Sequence, residues 1–138
     1  MAKKTDKNIV HAAGKRKKSI ARATLRPGKG TVRINLRNLN IIEPELFKLR
    51  LQEPLLLAGD LAGTVDIDVN VRGGGQASQV EASRLAMAKA LAQFGGAELK
   101  KTFLDYDRHL LVADTRFKEA RKAGTHSRAR AKRQKSYR

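Results

Sequence analysis

Three consecutive glycines, Gly73-Gly74-Gly75, stand between a strand pattern and a helix pattern, where a phosphate-cradling loop would sit. The run does not complete the dinucleotide pattern G-x-G-x-x-G, because Ser78 takes the last position, and no Gly-Lys-Ser/Thr follows to make a P-loop. It still lets a backbone approach a partner closely, and the following helix offers free N–H groups. A sharp strand-to-helix turn is the equally weighted alternative, and the two are compatible. Asp66 and Asp68 share one strand face, the geometry of a Mg²⁺ site or an acid/base pair, although a solvated face pairing with Arg or Lys is the favoured reading. Asp105 and Asp107 read as turn residues. His11, His109 and His126 are scattered without metal-ligand spacing. No Ser, His and Asp grouping suggests a nucleophile, and without cysteine there is no disulfide or thiolate chemistry. No catalytic residue, metal or cofactor is expected, and the chain does not read as an enzyme.

The chemistry these residues do support is the binding of a polyanion. The 138-residue chain has 30 Lys and Arg against 13 Asp and Glu, a formal net charge of +17. Residues 1–40 carry 12 basic and 1 acidic side chain; residues 41–107 carry 7 and 10; residues 108–138 carry 11 and 2. A slightly acidic middle thus lies between two basic ends. After Ala120 there is no acid, while Arg121, Lys122, Arg128, Arg130, Lys132, Arg133, Lys135 and Arg138 add eight positive charges. Tyr137 is the one sizeable apolar group there, so burial cannot repay the ordering entropy, and an extended tail awaiting a polyanion is expected. Closely spaced phosphates release counterions when Lys and Arg approach, which makes nucleic acid the natural partner. No apolar run approaches the ~20 residues of a membrane span, and no secretory signal is recognisable. A soluble, cytoplasmic protein with no membrane partner is expected.

The elements that must position these groups follow from periodicity. Residues 1–13 read as a mobile leader. From Arg16 a strand begins, with Ser19, Ala21, Ala23 and Leu25 on one face and Lys18, Ile20, Arg22, Thr24 and Arg26 on the other, a basic stripe. Arg26-Pro27-Gly28-Lys29 reads as a type II turn into a second strand with Val32, Ile34 and Leu36 inward, completing a hairpin. Pro44 and Pro54 predict two short helices over 43–58. Thr64–Arg72 alternates Val65, Ile67, Val69 and Val71 with polar residues and is the clearest strand. A helix is expected over Ala77–Phe94, on the stripe Val80, Met87, Leu91 and Phe94, ended by Gly95-Gly96. Ala97–Phe103 reads as a further short helix and Leu110–Ala113 as a short strand. The order predicts an α+β fold, a small two-layer sandwich with helices on one face of the sheet and the other face wet. The strands carry no aromatic residue, so recognition is expected to be of backbone and shape, by Arg and Lys.

Three segments resemble the universal ribosomal protein family of small-subunit protein nine. They are Gly14-Lys15-Arg16-Lys17-Lys18-Ser19-Ile20-Ala21-Arg22-Ala23 with Pro27-Gly28-x-Gly30 and Asn35; Val71-Arg72-Gly73-Gly74-Gly75 with Gln79 and the Ala-rich helix through Ala90-Leu91; and Asp114-x-Arg116-x-x-Glu119 with Gly124, the basic tail and Ser136-Tyr137-Arg138. They cover most of the length in the family's order and spacing. Ser78 stands where the family often has Gly, and the ending from Gln134 to Arg138 looks like the archaeal and eukaryotic branch.

The resemblance implies a fold of the ribosomal-protein-five second-domain type, with a left-handed βαβ crossover and a long extended basic C-terminal tail. It implies a leader over 1–13, a globular RNA-binding domain over 14–113 and a tail over 114–138. It also implies a place in the head of the small ribosomal subunit, beside other head proteins and on its rRNA. The rRNA-binding residues expected are Lys15, Arg16, Lys17, Lys18, Arg22, Arg72, Gly73, Gly74, Gly75, Arg116, Arg121, Lys122, Arg128, Arg130, Lys132 and Arg133. Contact with peptidyl-site tRNA is implied for Arg138 first, with Lys135, Ser136 and Tyr137 near it. Two rivals remain at this point: a free nucleic-acid-binding protein outside the ribosome, and an enzyme, since small-molecule kinases share the superfamily fold.

Overall fold

Burial along Ser19–Pro27 follows its alternation of small apolar and polar residues: Ser19, Ala21, Ala23 and Leu25 are buried, while Ile20, Arg22 and Arg26 face water. The computed structural model describes residues 9–130. Its strands are β1 (Val10–Arg16), β2 (Ser19–Pro27), β3 (Val32–Ile34), β4 (Arg37–Asn38) and β5 (Val65–Arg72), and its helices α1 (Glu45–Ala58), α2 (Asp60–Gly63) and α3 (Gln76–Tyr106). The sheet order is β1-β2-β5-β3-β4. α3 packs across β1, β2 and β5, α1 packs on α3, and the remaining sheet face is open. This is the mixed α+β, two-layer arrangement expected from the patterning.

The inward residues of β5, namely Val65, Ile67, Val69 and Val71, meet Ala82, Ala86, Met87, Ala90 and Leu91 of α3 in one core. Contact is closest at Gly14. A Cβ there would lie 2.1 Å from Ala82 O and 2.7 Å from Ala86 N, so β1 rests directly on the helix backbone. The glycine of β1 and the alanines of α3 therefore answer one another. α3 bends at Gly96 (φ 83°), where the sequence pattern ends the first helix, and continues to Tyr106.

Several expectations are corrected. The first strand begins at Val10, inside the stretch read as a leader, because Val10 and Ala12 pack on the core and β2 pairs with the backbone. The hairpin is β1–β2, turning at Lys17-Lys18 with Lys17 at φ 53°, a turn without the Gly or Asn that would announce it. β2 and β3 do not pair. β5 lies between them, antiparallel to β2 and parallel to β3. Arg26–Lys29 is not a type II turn, since Gly30 (φ 85°) and not Gly28 has the positive φ.

Asp66 shapes that loop, accepting hydrogen bonds from the N–H of Lys29 (3.0 Å) and Thr31 (2.8 Å). Gly28 leaves room for the carboxylate, as a Cβ there would sit 2.1 Å from its carbon. Leu36 is 89% exposed and not inward, because Asn35 and Leu36 both take positive φ in the β3–β4 turn. Residues 45–58 form one helix through Pro54, which is fully buried, as is Leu51 one turn earlier, and this burial offsets the missing N–H. Leu110–Ala113 is not a strand; Arg108–Leu110 is a 3₁₀ turn that seats Leu110 fully in the core.

Candidate nucleic-acid interface

The open sheet face is electrically polarised, and register causes it. At one end Arg26 stands opposite Asp66, and Asp68 lies between Thr24 and Arg33. Acid and base balance there. At the other end Lys15 pairs with Ile20, Ile20 with Arg72, and Arg22 with Asn70, beside the Lys17-Lys18 turn. No acid interrupts this end. Lys17, Lys18, Arg22 and Arg72 are exposed and make no ion pair among the described residues. The surface between His11, Lys18, Ile20, Arg22, Asn70 and Arg72 is a shallow concavity of about 950 Å³.

The glycine turn closes this basic end. Gly73 and Gly74 have φ 79° and 67°, and Cβ atoms there would lie 2.6 Å from Lys18 O and 2.2 Å from Ser19 Oγ. The turn thus needs glycine for both conformation and approach. Buried Ser19 donates to Gly73 O (2.8 Å), and Gln79 Nε2 donates to the same oxygen (3.1 Å). Ser78 Oγ accepts the Gly75 N–H (3.1 Å) and meets Ser19 Oγ at 2.8 Å, so its hydroxyl caps the helix. Asn35 extends the β3–β5 ladder with its side chain, accepting from Val71 N (2.9 Å) and donating to Val71 O (3.1 Å).

The segment after the domain returns to the same end. Arg16 Nη1 lies 2.6 Å from Asp114 Oδ2, a charge contact whose angle does not make it a hydrogen bond. Arg116 forks onto Asp114 through Nε (3.1 and 3.0 Å) and Nη2 (2.7 Å). This fork holds the Asp114 carboxyl well below the usual carboxylate range, helped by the Arg116 N–H and by Arg16. Lys15 Nζ stands 4.9 Å from the centre of the Phe117 ring. Glu119 pairs with Arg130 through two hydrogen bonds (3.0 and 2.6 Å). Between them Lys122 to Arg128 closes into a loop around buried Thr125, whose hydroxyl lies against the carbonyls of both ends. Residues 114–130 form no helix or strand, yet this loop is more closed than a fully extended segment.

The structure therefore sorts the expected cations. Lys17, Lys18, Arg22, Arg72, Arg121, Lys122 and Arg128 are exposed without an acidic partner among the described residues, whereas Arg16, Arg116 and Arg130 are engaged by acids. Lys132, Arg133, Lys135, Ser136, Tyr137 and Arg138 lie outside the described residues. Periodicity did not signal the Arg84 cluster. Arg84 is only 6% exposed and reaches Glu53 (2.5 Å), Asp107 (3.0 Å) and Glu81 (3.8 Å), tying α1 to both ends of α3. Burial opposes its charge, but the Asp107 hydrogen bond and the Glu53 and Glu81 carboxylates raise its pKa. An arginine within an apolar stripe was the available signal. Asp66, a possible metal or acid/base residue by type, spends Oδ1 on two backbone N–H groups, which depress its pKa.

Residues 14–138 match the family model described as ribosomal protein S9/S16. The chain belongs to the ribosomal protein S9/S16 family. It is 50% identical over 132 residues to small ribosomal subunit protein uS9 of Methanococcus vannielii, covering 94% of this chain and 98% of the relative. It is 53% identical over 131 residues to uS9 of Desulfurococcus amylolyticus, covering 94% and 93%. Proteins of the S9/S16 family are structural and not enzymes, which removes the kinase rival. No helix among the described residues is long and apolar enough to cross a membrane.

Proposed function

We propose that the chain is a structural constituent of the small ribosomal subunit in the cytoplasm, binding rRNA of the subunit head beside other head proteins. The observation that carries this is the basic end of the open sheet face, where no strand residue is acidic and Lys17, Lys18, Arg22 and Arg72 lie around the glycine turn. Such a surface suits a phosphate backbone, and the lack of strand aromatics suits recognition by shape. The β3–α1–β5 crossover supports a fold of the ribosomal-protein-five second-domain type. The globular domain ends near Ala113, and the basic tail from Asp114 threads rRNA and presents Lys135, Ser136, Tyr137 and Arg138 to peptidyl-site tRNA.

Chemical footprinting of subunits reconstituted with and without the chain tests the rRNA placement: protections confined to head helices are expected, and none there refutes it. Co-sedimentation with small subunits after a high-salt wash separates this reading from a free nucleic-acid binder. Deleting Arg138 is expected to leave assembly intact while weakening peptidyl-site tRNA binding by about 1–2 kcal/mol, the scale of one charged contact. Arg138→Lys should fall between, because Lys lacks the planar fork. Parent-level tRNA affinity in the deletion would remove the tRNA contact from Arg138 and leave the rRNA role standing.

A further inference from the structure

Lys15 and Arg16 are neighbours on β1, so their side chains leave the strand on opposite sides. Each takes hold of the segment that follows the domain. Arg16 meets Asp114 at 2.6 Å, and Lys15 stands over Phe117 at 4.9 Å. Asp114 is the centre of the arrangement. Its side chain is 14% exposed, although the Arg116 that forks onto it is 81% exposed. The Arg116 N–H also bonds to it (2.9 Å), so main chain and side chain of Arg116 both hold the carboxylate. β1 is an edge strand, paired on one side only, so this chain segment fastens to the rim of the sheet.

We propose that Asp114 is a latch: it fastens the root of the basic tail to the end of β1, so that the tail leaves from a fixed place beside the basic end of the sheet. Arg16 and Arg116 then serve the latch and not a phosphate, although both stand in basic runs. A tail held at its root loses less freedom when it binds, and its cations stay near those of the sheet. The latch is a property of the free chain; its use in binding rests on the rRNA reading above.

The test uses the full chain, which has no cysteine of its own, with spin labels at Lys101→Cys and Ala120→Cys, both exposed. A narrow distance distribution is expected in the parent. Asp114→Asn, equal in shape but uncharged, and Arg16→Gln are each expected to widen it about twofold, as a released terminus explores more positions. Asp114→Glu should stay close to the parent. The melting midpoint should move by no more than about 5 °C, because the pair lies at the rim of the sheet and outside the apolar core. An unchanged distribution in Asp114→Asn and Arg16→Gln overturns the latch. A widened one in Asp114→Glu overturns its charge basis, and a collapse of the midpoint in both uncharged variants makes the pair part of the core instead. Titration with a head-domain rRNA transcript distinguishes the two readings. Arg16→Gln, which opens the latch without freeing a cation, should bind about three- to tenfold more weakly with an unchanged salt slope. If the parent does not bind the transcript, the rRNA reading fails and the distances alone decide the latch.

Discussion

Ser19 Oγ and Gly73 O are 2.8 Å apart although 54 residues separate them in the chain. This hydrogen bond joins the start of β2 to the turn that launches α3, and so locks the basic end of the sheet to the glycine turn. Ser19→Ala removes one of the two donors to this carbonyl, Gln79 Nε2 keeping the other, and is expected to cost about 1 kcal/mol in urea unfolding. Gly74→Val places a branched side chain at φ 67° against Ser19 Oγ and should cost about 3 kcal/mol or more, whereas Gly75→Ala, with φ −105° and open space, should be near neutral. Equal stability of the two glycine variants would show that the turn is only a permissive linker.

Gly14→Ala should be among the most damaging small substitutions in the domain. Its Cβ would lie 2.1 Å from the Ala82 carbonyl oxygen, and a helix backbone cannot move aside as a side chain can. A loss of about 3 kcal/mol is expected, at the upper end of overpacking costs. A change under about 1 kcal/mol in chemical denaturation would contradict the close packing of β1 on α3.

RNA affinity should fall steeply with salt. If the chain engages ~6 phosphates, the log–log slope should be about −4 to −5. Replacing Lys17, Lys18, Arg22 and Arg72 together by Gln should flatten it by about 3 units, at roughly 0.7 to 0.9 per phosphate contact, while Asp66→Asn should leave it unchanged. Filter binding between 50 and 300 mM salt, roughly the range where such slopes are read, decides it. A slope near −1 for the parent would show that charge is not the determinant.

Asp66 supplies a pH dependence. The Thr31 and Lys29 N–H groups lower its folded pKa below the unfolded value, which is about 3.9. Its contribution is therefore fully present above that value and is lost as pH falls through the lower folded pKa. Asp66→Asn should be less stable than the parent by a constant amount at neutral pH, with the difference shrinking below about pH 4. A gap that persists unchanged at about pH 2 would exclude the carboxylate as its cause.

Period-two alternation was enough to mark the faces of β2 and β5, because burial along a strand follows side-chain direction wherever one sheet face is covered. Gly95-Gly96, the helix on either side of it and the basic ends were legible for similar local reasons. So was the need for glycine at Gly74, since a strand must become a helix within three residues. Pairing was not legible. Nothing local in 16–37 states that β5, some thirty residues on, will lie between β2 and β3, because that choice is made by the apolar face β5 offers to α3. The Lys17-Lys18 turn carried no turn residues, and Pro54 carried a breaker's signature that core packing overrode. At the interface, residue type marked Arg16 and Arg116 as cations available to phosphate. Their engagement with Asp114 depends on bringing β1 and the tail root together across some hundred residues, and a charge's partner is set by that distance and not by its neighbours in the chain.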